Sequence, residues 1–250
     1  MKRLLFFVLI FLVGCTTVEE VYDIDLTIKP YPIQKNIETS IDFKIAKDGN
    51  PVPLEIDHER IVHVLTVRED LAEFKHIHHE DFNELTEENR KNSQFNVKNM
   101  FAEAAKYAIV FEFTTAGKTL HRQLELKVEG EKRELTVNKD SNWIKVFGEY
   151  GIELIPLESI DTVVQKQSEI KAGEKTPLLF RVIKDGAFVT DLERYLGARA
   201  HFAVWKGDLS QFIHEHAYEL KHSGHSATDE KFGPNLPVEL TFPEPGFYKI

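Results

Sequence analysis

Ile61-Val62-His63-Val64-Leu65-Thr66-Val67, the polar corner Arg68-Glu69-Asp70, and Leu71-Ala72-Glu73-Phe74-Lys75-His76-Ile77-His78-His79 form the stretch whose reading decides the fold. The first run alternates like a strand, the corner carries turn residues, and the second run alternates again, so the stretch reads as a hairpin. It is written twice. At an offset of 138 residues, His63, Asp70, Leu71, Phe74, His76 and His78 recur as His201, Asp208, Leu209, Phe212, His214 and His216. A His-x12-His-x-His spacing repeated with its Asp-Leu and Phe marks two copies of one unit.

The repeat extends outward from the histidines. Tyr22-Asp23-Ile24-Asp25-Leu26 matches Tyr150-Gly151-Ile152-Glu153-Leu154, and Phe43-Lys44-Ile45-Ala46-Lys47-Asp48-Gly49 matches Phe180-Arg181-Val182-Ile183-Lys184-Asp185-Gly186. Near the ends, Glu112-Phe113-Thr114-Thr115-Ala116-Gly117 is matched to Thr241-Phe242-Pro243-Glu244-Pro245-Gly246. Each copy has about a hundred residues, enough for a core of its own. Within copy one, period-two runs are bounded by Gly, Pro and Asp: Ile24-Leu26-Ile28, Ile41-Phe43-Ile45, Val62 to Val67, Ile109-Phe111-Phe113 and Leu124-Leu126-Val128. Short strands at this spacing predict an all-β chain of two antiparallel sandwiches, about seven strands each. The expected boundaries are 21–128 and 149–250, with 129–148 as a linker or a final strand docking Trp143 and Val146 at the interface. Asn83 to Gln94 reads as a long polar loop, and Val97 to Tyr107 as a helix or an extended loop. Copy two stops at Ile250, several residues before the counterpart of Val128, so the sequence is expected to be truncated at its C-terminus.

With 42% hydrophobic and 29% charged residues the composition is that of a globular chain. The formal charge of -10 repels nucleic acid and anionic headgroups, which disfavours a nucleic-acid role. Residues 1–14 have a basic start, Lys2 and Arg3, and an apolar run from Leu4 to Val13, the layout of a secretory signal too short to remain as a membrane span. The junction Leu12-Val13-Gly14-Cys15 resembles the bacterial lipobox. That resemblance implies lipidation of Cys15, the protein's only cysteine, with 15–20 as a lipidated tether to the membrane. It also implies a cell-envelope location, the outer membrane in a Gram-negative cell.

On a strand, alternate residues share a face, so His76 and His78 point the same way. A bend at residues 68–73 brings His63 beside them, and the Asp70 carboxylate suits the turn amides. Three imidazoles then converge in copy one, and His201, His214 and His216 converge in copy two. Neutral imidazole is a borderline ligand suited to copper first and zinc second. His222 and His225 are candidate additional ligands, whereas His58, His79 and His121 have no counterpart at the same offset and read as solvated. A competing reading keeps the histidines purely structural, because their same-face neighbours Leu65, Val67, Ala203 and Trp205 are apolar, as beside a core-edge histidine.

The hairpin stretch, together with Asp191-Leu192-Glu193-Arg194-Tyr195-Leu196-Gly197-Ala198 and the closing Thr241 to Tyr248, resembles an immunoglobulin-like domain of bacterial envelope proteins, often found near copper and heavy-metal handling functions. That family commonly has proline after the last histidine, where His79 and Ala217 stand here. The resemblance implies immunoglobulin-like sandwiches and a metal-buffer or delivery role, with an envelope metal-transport protein as a partner. The alternative is a structural or adhesion module that binds a partner protein. No nucleophile elbow, HExxH helix or phosphate loop is present, so an enzyme is not expected.

Overall fold

The computed structural model describes residues 21–140, 142–159, 170–218 and 231–250. The expected signal segment, Cys15, the expected tether, His222 and His225 therefore lie outside the described residues. Copy one comprises strands β1 (Asp23–Lys29), β2 (Ile33–Gln34), β3 (Glu38–Lys47), β4 (Asn50–Pro51), β5 (His63–Arg68), β6 (Phe74–His78), β7 (Gln94–Met100), β8 (Lys106–Thr115) and β9 (Lys118–Glu129). A helix α1 (Glu87–Asn92) precedes β7. Then follow β10 (Ile144–Phe147), β11 (Tyr150–Pro156), β12 (Lys175–Lys184), β13 (Ala187–Phe188), β14 (His201–Lys206), β15 (Phe212–His216), β16 (Asn235–Thr241) and β17 (Tyr248–Lys249).

The chain is all-β, as the alternation predicts. In copy one, β3 pairs with β1, β4 and β7, while the facing sheet runs β2-β9-β8-β5-β6. Thr39, Ile41, Phe43 and Ile45 are the inward residues of β3, and they close a core with Val62, Val64, Ile109, Phe111 and Phe113 from the facing sheet. This is the strand arrangement of an immunoglobulin-type sandwich. At its expected corner, the Tyr107 hydroxyl at the start of β8 bonds back to the Glu103 carbonyl at 3.3 Å.

Copy two repeats the pairing. Asp23 lies opposite Ala46 and Gly151 opposite Ile183, and Phe43 lies opposite Phe95 as Phe180 does opposite Leu236. Leu178, Phe202, Val204, Val238 and Leu240 form the second core.

Four expectations change. Of the two readings for residues 97–107 the helix is absent: Val97 is buried in β7 against β3, and Ala102, Ala104 and Ala105 lie in the loop between β7 and β8, where Ala104 and Ala105 are buried. The polar 83–94 loop contains α1, nucleated by Thr86, whose hydroxyl accepts the Asn89 amide at 3.1 Å. Trp143 and Val146 are exposed rather than docked, because β10 is an edge strand on β11 of copy two, while Leu135 and Val137 of the connecting chain pack on buried apolar clusters. Finally, Tyr248 pairs with Lys206 as Tyr107 does with Arg68, so Thr241 to Tyr248 corresponds to Met100 to Tyr107 rather than reaching Glu112 to Gly117. Phe101 edges Tyr107 at 4.8 Å and Phe242 edges Tyr248 at 4.9 Å, and the Tyr248 hydroxyl repeats the corner bond to Glu244 at 3.0 Å.

All six residues of β5 are buried, which one sandwich cannot explain. Val64 faces its own core, whereas Leu65 and Val67, with Ala108 and Val110 of β8, pack against Trp205 and Phe212 of copy two. A strand apolar on both faces needs cover on both sides. The other copy supplies it, and the histidine ends of both hairpins meet along this contact.

Candidate metal centre

The hairpin register places the first three histidines. His63 lies opposite His78 and Leu65 opposite His76, so all three side chains rise from one face. The bend is fixed as expected by Asp70, whose Oδ1 accepts the Ala72 amide at 3.1 Å. Asp70 is held in turn by the Arg68 guanidinium at 2.8 and 3.0 Å, a bidentate pair.

His63 Nδ1 lies 3.0 Å from His76 Nε2 and 3.2 Å from His78 Nε2, and the last two atoms are 3.1 Å apart. The remaining nitrogens settle the tautomers. His63 Nε2 donates to the Asp57 carbonyl at 3.2 Å, and His78 Nδ1 donates to Asp81 Oδ2 at 3.0 Å. Each neutral ring carries one proton, so His63 Nδ1 and His78 Nε2 present bare lone pairs. Burial, reinforced by neighbouring imidazoles, pushes His63 down to about 3 and His76 to about 2. Burial also lowers His78 despite the opposing Asp81 carboxylate. The trio is therefore neutral at pH 7, with lone pairs converging on a point that suits a cation. With metal–nitrogen bonds of about 2.0 Å, nitrogens spaced this way subtend about 100° at an ion, a facial tripod with an open side. The carbonyl and carboxylate behind the rings are the outer partners that orient such ligands.

In copy two the register recurs, with His201 opposite His216 and Ala203 opposite His214. His201 Nε2 donates to the Tyr195 carbonyl at 3.0 Å, matching His63 on Asp57. His201 Nδ1, His214 Nε2 and His216 Nε2 are buried and have no hydrogen-bond partner among the described residues. Burial again dominates, pushing His201 to about 4 and His216 to about 3.

The described residues form a second group with ligand geometry: His58, His201 and His216, whose nitrogens lie within 4.8 Å of one another. His214 is in the same cluster, its ring centre 4.8 Å from that of His216, but its Nδ1 meets Glu112 Oε1 of copy one at 2.5 Å. The two groups adjoin, with the His63 ring 6.2 Å from His201 and the His76 ring 5.6 Å from His214.

Of the three histidines read as solvated, His58 and His79 are otherwise placed and His121 is exposed as expected. His58 stacks on His216 at 3.8 Å between ring centres. His79 is buried, its Nδ1 accepting the Asn96 amide at 3.0 Å. His121 is exposed, with its ring against Phe212. Sequence reasoning missed His58, Asp81 and Glu112. His58 had a signal, since Asp57 to Arg60 aligns at the same 138 offset with Tyr195 to Ala198, a turn immediately before the histidine strand.

Residues 16–130 and 158–250 match the family described as Domain of unknown function (DUF8832), and the chain belongs to that family. No curated protein matches the chain.

Proposed function

For this member of a family without an assigned role, we propose transition-metal binding at the histidine cluster, copper first and zinc second, as a buffer or delivery protein rather than an enzyme. One observation carries the reading: three imidazole nitrogens stand 3.0–3.2 Å apart, two of them with the ring proton committed elsewhere. The bare lone pairs of His63 and His78 need a positive centre between them, which either the Nε2 proton of neutral His76 or a metal ion supplies, and the ion engages all three rings at once. Imidazole-only ligation favours borderline metals, and Met100, the one methionine after the signal segment, is half exposed on β7. Lipidation at Cys15 would hold the protein at the cell envelope, where it would pass metal to a transport protein or another partner. Among the described residues no helix is long and apolar enough to cross a membrane.

The test is copper(II) and zinc(II) titration of the chain beside His76→Ala/His78→Ala and His214→Ala/His216→Ala. Binding near two ions per chain, falling by one in each double variant, is the expected result. Affinity no tighter than that of a generic surface histidine pair in the unaltered chain would overturn the reading and leave a structural module docking a partner protein.

A further inference from the structure

The two ligand groups differ in origin. His63, His76 and His78 all come from copy one, whereas the second group takes His58 from copy one and His201 and His216 from copy two. An ion held by the second group would be bonded to both sandwiches at once.

The placement of His58 is costly and specific. Asp57 and Arg60 exchange two backbone hydrogen bonds at 2.9 and 3.0 Å, closing a two-residue turn in which His58 has φ 45° and Glu59 φ 65°. Both central residues of such a turn are left-handed, a conformation that favours Gly, Asn or Asp. The counterpart turn, Tyr195 to Ala198, has the same paired bonds but holds Leu196 at φ 50° and Gly197 at φ 73°. Copy two therefore fills the place of His58 with a buried leucine and satisfies the second position with glycine. The two turns sit against each other, since a Cβ on Gly197 would lie 3.8 Å from Glu59 Oε1. Backbone strain of this kind persists where surrounding structure holds it, often at binding sites. Here it delivers an imidazole onto the face of His216.

The rest of the contact is built to hold the copies in register beneath this point. Glu112 meets His214, Lys249 Nζ donates to the Leu71 carbonyl at 2.8 Å, and Gln123 Nε2 donates to the Leu209 carbonyl at 2.7 Å. Trp205 and Phe212 fill the apolar layer against Leu65 and Val67. The composite nitrogens lie within 4.8 Å of one another, close enough for one ion to bridge the two copies. An ion there would tie together the turn that carries His58 and the Tyr195 to Ala198 turn, whose Tyr195 carbonyl holds His201 Nε2 at 3.0 Å.

We propose that His58, His201 and His216 form an inter-copy metal site whose ion clamps the two sandwiches together. It rests on the metal reading above and adds to it that the second ion is structural across the repeat, separate from the single-copy tripod. Metal binding that joins two units adds its free energy to their association.

The test uses zinc ion and the full chain, as unaltered protein and as His58→Asn, His216→Ala and His76→Ala/His78→Ala. Asparagine tolerates the left-handed turn and removes the imidazole, so His58→Asn preserves the fold. Bound zinc is counted by titration, and amide exchange is followed in residues 57–60 and 195–198 of the two turns. The expected result is two ions in the unaltered chain and one in each variant. Zinc should slow exchange in both turns in the unaltered chain and in His76→Ala/His78→Ala, and in neither turn in His58→Asn or His216→Ala. If His58→Asn keeps two ions, or zinc protects the turns without His58, the clamp is overturned while the tripod stands. One ion in the unaltered chain, lost in His76→Ala/His78→Ala, has the same meaning. No zinc in the unaltered chain removes the metal reading and the clamp with it.

Discussion

The hairpin β5–β6 and its repeat β14–β15 share register, bend and histidine spacing, yet their surroundings differ. At the bend, Leu71 has φ 59° and Leu209 φ 61°, and Asp70 and Asp208 each accept the amide two residues on, at 3.1 and 3.0 Å. In copy one that aspartate is gripped by Arg68 in a buried pair, with Glu73 beside it. In copy two Lys206 reaches the exposed Asp208 and Glu244. Copy one is also closed by a full second sheet, whereas β14 pairs with β15 and the two-residue β17. The hairpin thus sets the histidine geometry by itself, and the environment sets how firmly it is held.

Acid should break the comparison most widely, because it acts on both clusters at once. In the metal-free protein, unfolded imidazoles take up protons near 6.5, while burial holds folded His63 at about 3, His76 at about 2, His201 at about 4 and His216 at about 3. Between the unfolded and folded values the unfolded state binds more protons, so stability is present above about 6.5 and falls as pH drops through this window. The loss levels off sooner in copy two, whose values lie higher. Denaturant midpoints between pH 7.5 and 3, with amide exchange resolved by copy, check this.

Phe43→Ala should cost about 3 to 5 kcal/mol, because the ring is 1% exposed and packs on Phe95 and Phe111 at 5.6 and 4.7 Å. Its counterpart Phe180 is half buried against Phe202, so Phe180→Ala should cost about 1 kcal/mol. Equal losses in urea unfolding would show that the second core is packed as tightly as the first.

Arg68→Ala leaves Asp70 buried without its charge partner and should cost about 3 to 5 kcal/mol. Lys206→Ala removes a lysine whose acids face solvent, so the unfolding midpoint should barely move. A large shift from Lys206→Ala would show that the copy-two bend is held by its ion pairs after all.

The smallest effect sharpens the comparison at the metal itself. Asp81→Asn removes the carboxylate behind His78 and should weaken zinc at the tripod by about 10-fold. The composite site should be unaffected, and a zinc titration that resolves two affinities distinguishes the outcomes.

The repeat, the sandwich alternation and the hairpin carrying His63, His76 and His78 were legible because each depends on local spacing: period two for the strands, two residues between paired histidines, and an aspartate at the bend. The tail match of Glu112 with Thr241 failed because a shared phenylalanine and glycine near a turn fix no register, and only the pairing of Tyr248 with Lys206 fixes the alignment. For residues 97–107 the sequence left helix and extended loop open, and the pairing of β7 with β3 and of β8 with β5 and β9 decided it, leaving residues 101–105 as the connecting loop.

The sequence by itself determined that two copies of a β hairpin each present histidines on one face, since side-chain direction in a strand is set by covalent geometry. Only the tertiary structure decided that these faces meet. The apolar rows of Leu65 and Val67 and of Ala203 and Trp205 could have closed against solvent-facing loops, a partner protein or each other. Packing them together buried the histidines, lowered their proton affinity and brought His58 to copy two. Burial and proximity are properties of the assembled contact, which no spacing along the chain encodes.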